Sequence, residues 1–167
     1  MDRLSIRKAD INDFKNVVTI FKGVVAEMDR NSIPQWDEEY PTPEILKEDI
    51  INKEMLLGII DGKVAAVAVV NQQYDDAYNK VQWQYKDKSF AIIHRLVVNV
   101  EFQNHGVAKT MMKEIEDILK EQKIETVRLD AFSLNPYALK MYEKIGYVKR
   151  GEAVWRKGLF YLYEKKL

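Results

Sequence analysis

The sequence predicts an α/β (α+β) protein with a mixed central sheet of about six to seven strands flanked by about four helices. Three observations carry that prediction. Apolar residues recur at helical spacing in four segments, and short β-rich runs lie between them. The pair Asp61-Gly62 separates two such runs, which signals an antiparallel hairpin. Strand, helix and strand follow one another between residues 89 and 131, an order that implies a parallel crossover. Both kinds of pairing in one sheet, with helices to cover it, define the class.

The elements follow in order. Leu4 to Lys8 alternates and reads as a first strand. Asp10 is placed to cap a helix whose apolar positions run Ile11, Phe14, Val17, Val18, Phe21, Val24, Val25 and Met28. Asn31 to Pro43 holds three prolines, Trp36 and Tyr40, and reads as a long loop. Thr42 caps a second helix, with Pro43 at its first position. Met55–Ile60 and Lys63–Val70 form the hairpin. Residues 71–88 are polar with scattered aromatics and read as a connector, before a strong strand over Ser89–Val98. Asn104–Glu121 reads as a helix and Thr126–Ala131 as a strand. Pro136–Ile145 reads as a helix capped by Asn135 and closed by Gly146. Tyr147–Lys149 and Leu159–Glu164 read as the last strands.

Composition narrows the function classes. The chain has 167 residues, one ordinary domain by length, and low glycine and proline leave no linker to divide it, so 1–167 is expected to be a single domain. Lys+Arg and Asp+Glu both total 26, so no global charge draws the protein to nucleic acid or to an acidic membrane, and neither partner is expected. With no cysteine and only two histidines, disulfides, thiolate catalysis and a multi-histidine metal site are excluded; no metal is expected. The N-terminus lacks the apolar core of a signal peptide, and no apolar run approaches the ~18 residues of a membrane span. The expected location is cytoplasmic.

The informative stretch runs from Leu96 to Met112. A buried strand ends near Val98, a short loop follows, and a helix opens around Asn104 to Gly106. Unsatisfied N–H groups at a helix start, at the positive end of its dipole, suit phosphate. Gly106 and Ala108 are small enough to let phosphates approach the backbone. The stretch contains neither the Gly-x-Gly-x-x-Gly of dinucleotide folds nor the Gly-Lys-Ser/Thr of P-loops.

Gln103-x-x-Gly106-x-Ala108 resembles the pyrophosphate motif of the GNAT superfamily of N-acetyltransferases, Gln/Arg-x-x-Gly-x-Gly/Ala. Further along, Asn135 to Tyr147 resembles the second signature of that family, Asn-x-x-Ala-x-x-x-Tyr-x-x-x-Gly-Phe/Tyr. Both motifs occur in the right order and local context. The resemblance implies an acetyl-CoA-dependent N-acetyltransferase with acetyl-CoA as acyl-donor cosubstrate.

The resemblance also implies roles. Backbone groups of Leu96, Val98 and Val100 would pair with the pantetheine arm. The amides of Asn104, His105, Gly106, Val107, Ala108 and Lys109 would hold the pyrophosphate. Asn135 would bond the pantetheine as well as cap its helix. Tyr142 would donate a proton to the departing thiolate, and the Val98 N–H would stabilise the oxyanion. The amine acceptor must lose a proton. His94 has a near-neutral reference pKa and, by strand alternation, shares a face with Leu96 and Val98 unless a bulge intervenes; Arg95 would face the other way. Asp130 ends the next strand, where family members use a glutamate. His94, Asp130 and a water chain all stand as candidate bases.

In this fold the segment between the first two helices borders the acceptor site. Trp36, Glu39 and Tyr40 lie there with Asp37 and Glu38, and aromatics beside carboxylates suit a cationic amine. The same aromatics would equally pin a long loop to the core. Trp83 and Tyr85 could reach the same pocket or a dimer contact. The resemblance implies a small-molecule amine or a peptide amine as partner, with a homodimer possible. The alternatives are a protein N-terminal or lysine acetyltransferase, and a non-catalytic acyl-CoA-binding regulator.

Overall fold

The computed structural model describes residues 2–167. Among these residues four α-helices and seven strands follow in the order β1 (Ser5–Lys8), α1 (Phe14–Arg30), α2 (Pro43–Ile51), β2 (Met55–Ile60), β3 (Lys63–Asn71), β4 (Phe90–Val98), α3 (Val107–Glu121), β5 (Thr126–Phe132), α4 (Pro136–Lys144), β6 (Val148–Trp155) and β7 (Gly158–Lys166). The strands form one sheet in the order β1-β2-β3-β4-β5-β7-β6. β4 and β5 pair in parallel. β1 with β2, β2 with β3, β5 with β7 and β6 with β7 pair antiparallel. This is the mixed sheet the sequence predicted. Among the described residues, no helix is long and apolar enough to cross a membrane.

The chain forms two compact units. One runs to Val70 and resumes over Arg95–Ile115; the other comprises Asn71–His94 and Glu116–Leu167. In the first, α1 presents Val17, Ile20, Phe21 and Val24 on one buried face, as the helical spacing requires. They pack with Trp36, Leu46, Ile50, Leu57, Val67 and Val97 among others. Burying a side chain of this size contributes roughly 1.5–3 kcal/mol. The chain enters α1 through a 3-10 turn, Ile11–Asp13, where Asp10 and Asp13 form a reciprocal capping box. α1 therefore begins at Phe14. Thr42 Oγ1 accepts from the Ile45 N–H at 3.2 Å and starts α2 with Pro43 in its first turn. At the hairpin, Asp61 and Gly62 both have positive φ, 52° and 76°, as a type I′ turn demands.

In the second unit, Tyr78, Trp83, Ile92, Ala153 and Leu162 form a buried cluster. The connector is held by side chains rather than by a sheet. Glu164, fully buried, accepts from the backbone N–H of Gln84 at 2.8 Å and from Arg150 Nε at 2.8 Å. A buried carboxylate is tolerated only when paired in this way.

Several boundaries differ from expectation. α3 starts at Val107 rather than Asn104, because Asn104 and Gly106 take φ of 66° and 73°, which a right-handed helix excludes. The last two strands are longer than expected. β6 is an edge strand with mostly half-exposed or exposed side chains, so its polar stretch shows little apolar alternation.

Candidate active site

The candidate phosphate loop belongs to the first unit. β4 ends at Val98, and Asn99 turns the chain: its backbone N–H donates to Ala65 O at 2.8 Å and its Nδ2 to Val64 O at 2.9 Å. Val100 then opens a 3-10 turn, Val100–Phe102, which places it beyond the extended strand that contains Leu96 and Val98. Gln103 Nε2 donates back to Val98 O at 3.2 Å. The loop is thus tied to the strand end at both of its flanks. Asn104, His105, Gly106 and Lys109 are exposed, Ala108 is half-buried, and Val107 is buried as the anchor of α3.

Gly106 is the informative position. Its φ of 73° favours glycine, and a Cβ built there would meet nothing within 4 Å. An open cradle over a left-handed glycine, at the start of a 15-residue helix, suits a diphosphate. The residues present therefore fit the pyrophosphate of acetyl-CoA.

β4 itself is irregular. Arg95 has φ of 50°, a left-handed conformation inside a strand. It interrupts the alternation, so the regular period behind the expected shared face of His94, Leu96 and Val98 does not run through this position. Arg95 turns into an ion-pair network of the first unit. Its Nη2 and Nε donate to the two Asp49 oxygens at 2.7 and 2.9 Å, and its Nη1 donates to Tyr40 Oη at 2.7 Å. Both charged side chains are nearly buried. Burial pushes the Asp49 carboxyl up, and the Arg95 guanidinium opposes that rise.

The candidate acceptor loop is ordered. Trp36 is buried and its ring lies 5.7 Å from that of Phe21. Asp37 and Tyr40 pair through their backbones, and the Glu39 N–H donates to Asp37 Oδ1 at 3.0 Å, leaving the Glu39 residue exposed. Sequence reasoning missed Asp49, whose partner lies 46 positions away with no local pattern to mark it.

The remaining candidates belong to the second unit. The Gln73 N–H donates to Asn71 Oδ1 at 2.9 Å, which fixes the amide orientation. His94 Nε2 lies 2.8 Å from the same oxygen and is therefore the donor. Asn135 Oδ1 accepts from the Ala138 N–H at 3.1 Å and caps α4. Tyr142 is 8% exposed, in ring contact with Tyr147 and Tyr163. Burial first, and the Asp130 charge second, raise its phenol far above the ordinary tyrosine value, so it keeps its proton. Asp130 Oδ2 accepts from Tyr78 Oη at 2.6 Å. Trp83 is buried and donates its Nε1–H to Tyr78 O at 3.0 Å. Tyr78 escaped the sequence reading because it sits in a connector without periodicity, 52 positions from its partner. Among the described residues there is no cluster of three or more His, Asp or Glu able to hold a metal ion.

A mixed seven-stranded sheet of this order with four helices is the fold of acetyl-CoA-dependent acetyltransferases. The model of the acetyltransferase (GNAT) family matches residues 24–147, and the chain belongs to that family. No curated protein matches the sequence. The fold is that of several solved structures. A GNAT-family acetyltransferase from Streptococcus agalactiae is 23% identical, with a TM-score of 0.86 over 98% of this chain and 95% of that one. A GNAT-family acetyltransferase from Listeria monocytogenes is 20% identical, with a TM-score of 0.79 over 98% and 95%. The PaiA N-acetyltransferase from Thermoplasma acidophilum, solved with coenzyme A, is 19% identical, with a TM-score of 0.73 over 99% and 100%.

Proposed function

We propose that this chain works as one acetyltransferase domain that moves the acetyl group of acetyl-CoA directly to a primary amine in a ternary complex. The open cradle over Gly106 carries this reading. Amides of residues 104–109 hold the pyrophosphate, and the helix dipole adds to their field. Backbone groups of Leu96 and Val98 pair with the pantetheine, and Asn135 adds a bond to it. That a fold relative was solved with coenzyme A supports this assignment.

The chemistry then follows from the protonation states. The bound ammonium gives its proton to His94, whose ring is positioned by the contact of Nε2 with Asn71 Oδ1. The amine lone pair attacks the thioester carbonyl, and the oxyanion is met by the Val98 N–H. Collapse breaks the C–S bond. Tyr142, held protonated by burial, gives its proton to the thiolate, and its phenolate recovers one from the still-protonated amide nitrogen; the products are the acetamide and CoA, with the first ammonium proton left on the base. We read the acceptor as a small amine rather than a peptide. Trp36 is buried and Tyr40 is tied to Arg95, so the acceptor loop is closed down by its own contacts.

The test is calorimetric titration with acetyl-CoA and CoA, followed by a free-thiol assay over small amines, polyamines and peptides. Micromolar binding with turnover of small amines supports the reading. Turnover of peptides alone would replace it with a protein acetyltransferase. Binding without any turnover would leave an acyl-CoA-binding regulator, and no binding by folded protein would end the reading altogether.

A further inference from the structure

We infer that Tyr78 is a positioning residue, which fixes Asp130 as the acceptor of a short hydrogen bond and so removes it from the role of general base. The inference rests on the acetyl-transfer reading above. Tyr78 is 3% exposed, and its hydroxyl lies 2.6 Å from Asp130 Oδ2. Its place is set independently of that bond. The Asp75 side chain caps the short 3-10 turn Asp76–Lys80 by accepting from the Ala77 N–H, and the Tyr78 N–H donates to Asp75 O at 2.9 Å. Trp83 Nε1–H donates to the Tyr78 carbonyl, and the Tyr78 ring lies 5.7 Å from that of Trp83 and 5.9 Å from that of Tyr74. A phenol held on so many sides carries its oxygen to a defined point, and the carboxylate meets it there.

The proton of this pair belongs to the phenol. Burial, then the Asp130 charge, hold Tyr78 well above the ordinary tyrosine range; Asp75 adds to the rise and Arg128 opposes it. A carboxylate that accepts a short hydrogen bond is stabilised in its charged form and becomes a poorer base. Asp130 then serves as a fixed negative charge. Its field is one of the two causes that keep the Tyr142 phenol protonated. One anion thus faces two tyrosines: Tyr78 orients it, and Tyr142 responds to it. Proton removal from the amine passes to His94 or to a water chain.

The experiment is a carbon-13 NMR titration of aspartate-labelled protein, following the Asp130 carboxyl in the wild type, Tyr78→Phe and Tyr74→Phe. The phenylalanine variants keep ring, burial and stacking. In the wild type the Asp130 signal should show no inflection between about pH 5.5 and 9, the window in which a base for an amine must titrate. Tyr78→Phe should raise its midpoint by about one pH unit, since a donor to the charged form is lost. Tyr74→Phe should leave it in place. A near-neutral inflection in the wild type, or a midpoint indifferent to Tyr78→Phe, overturns the inference. An equal shift in Tyr74→Phe would reduce Tyr78 to a packing residue and also overturn it. The titration needs no turnover. Failure of acetyl-CoA to bind therefore strikes the proposed function and not this measurement, and the two failures are distinguishable.

Discussion

Replacing Gly106 by alanine separates backbone strain from loss of a phosphate site. Gly106 has φ of 73°, and a Cβ there meets nothing within 4 Å, so the methyl group collides with no protein atom. The cost to folding is then strain alone. An alanine in the left-handed region costs about 1–2 kcal/mol, and the stiffer unfolded chain returns part of that, for a net loss of about 1 kcal/mol. In a chain of this size the expected fall in Tm is about 2–4 °C. Binding should suffer more. The open space is where the diphosphate would rest, and losing one hydrogen bond to a charged group costs about 1.5–3 kcal/mol, or roughly a 10- to 100-fold rise in Kd for acetyl-CoA. Gly62→Ala supplies the control. Gly62 also has positive φ, 76°, and open space around its Cβ, but it sits in the hairpin turn of the same unit. It should lose a similar Tm and leave Kd unchanged. Calorimetry reads both quantities on the same samples. If the two variants bind acetyl-CoA equally well, the loop does not hold the diphosphate and the reasoning fails.

Four further outcomes are expected. Asp49→Ala leaves Arg95 nearly buried without its carboxylate partner and should cost about 3–5 kcal/mol in chemical denaturation; a loss below about 1 kcal/mol would show that the pair is solvated. Gly58→Ala puts a Cβ 2.8 Å from Met111 Sδ and 3.0 Å from Leu4 Cδ1, and should cost about 1–3 kcal/mol through overpacking. Adding Met111→Ala should then show a favourable coupling, and strict additivity would refute the clash. Arg7 donates to both Asp13 oxygens and holds that carboxyl below its ordinary value. A depressed carboxylate stabilises the fold above its unfolded pKa, and the gain disappears as pH falls through the folded pKa. With Arg7 half-exposed the pair is worth under about 1 kcal/mol, so Asp13→Asn should differ from wild type by that little at pH 7 and by nothing in strong acid. Tyr142→Phe should lower kcat by about 10²- to 10⁴-fold while leaving the Kd of acetyl-CoA within a few-fold; an unchanged kcat removes its acid role.

Much of the fold was legible because its signals are local. The α1 stripe of Val17, Phe21 and Val24, the Asp61-Gly62 turn and the Thr42 cap each act within one turn or one hairpin. The order of elements followed from them, and the order implied a mixed sheet. The cofactor motifs were legible for the same reason: Gln103 to Ala108 and Asn135 to Tyr147 are contiguous, and a loop that cradles phosphate needs its small residues at fixed spacing.

What only the tertiary structure decided are contacts between distant positions and departures from ideal geometry. No periodicity announces that Arg95 turns left-handed inside β4 and meets Asp49, because that conformation answers to partners outside the strand. The tautomer of His94 depends on Asn71, itself oriented by a backbone N–H. Asp130 reads in the sequence as one candidate base; the phenol that donates to it lies 52 positions away in a connector that carries no pattern. Apolar spacing is written by the demand to bury one face, so it can be read along the chain. Protonation states are written by whichever group the fold brings within 3 Å, and that distance exists only after folding.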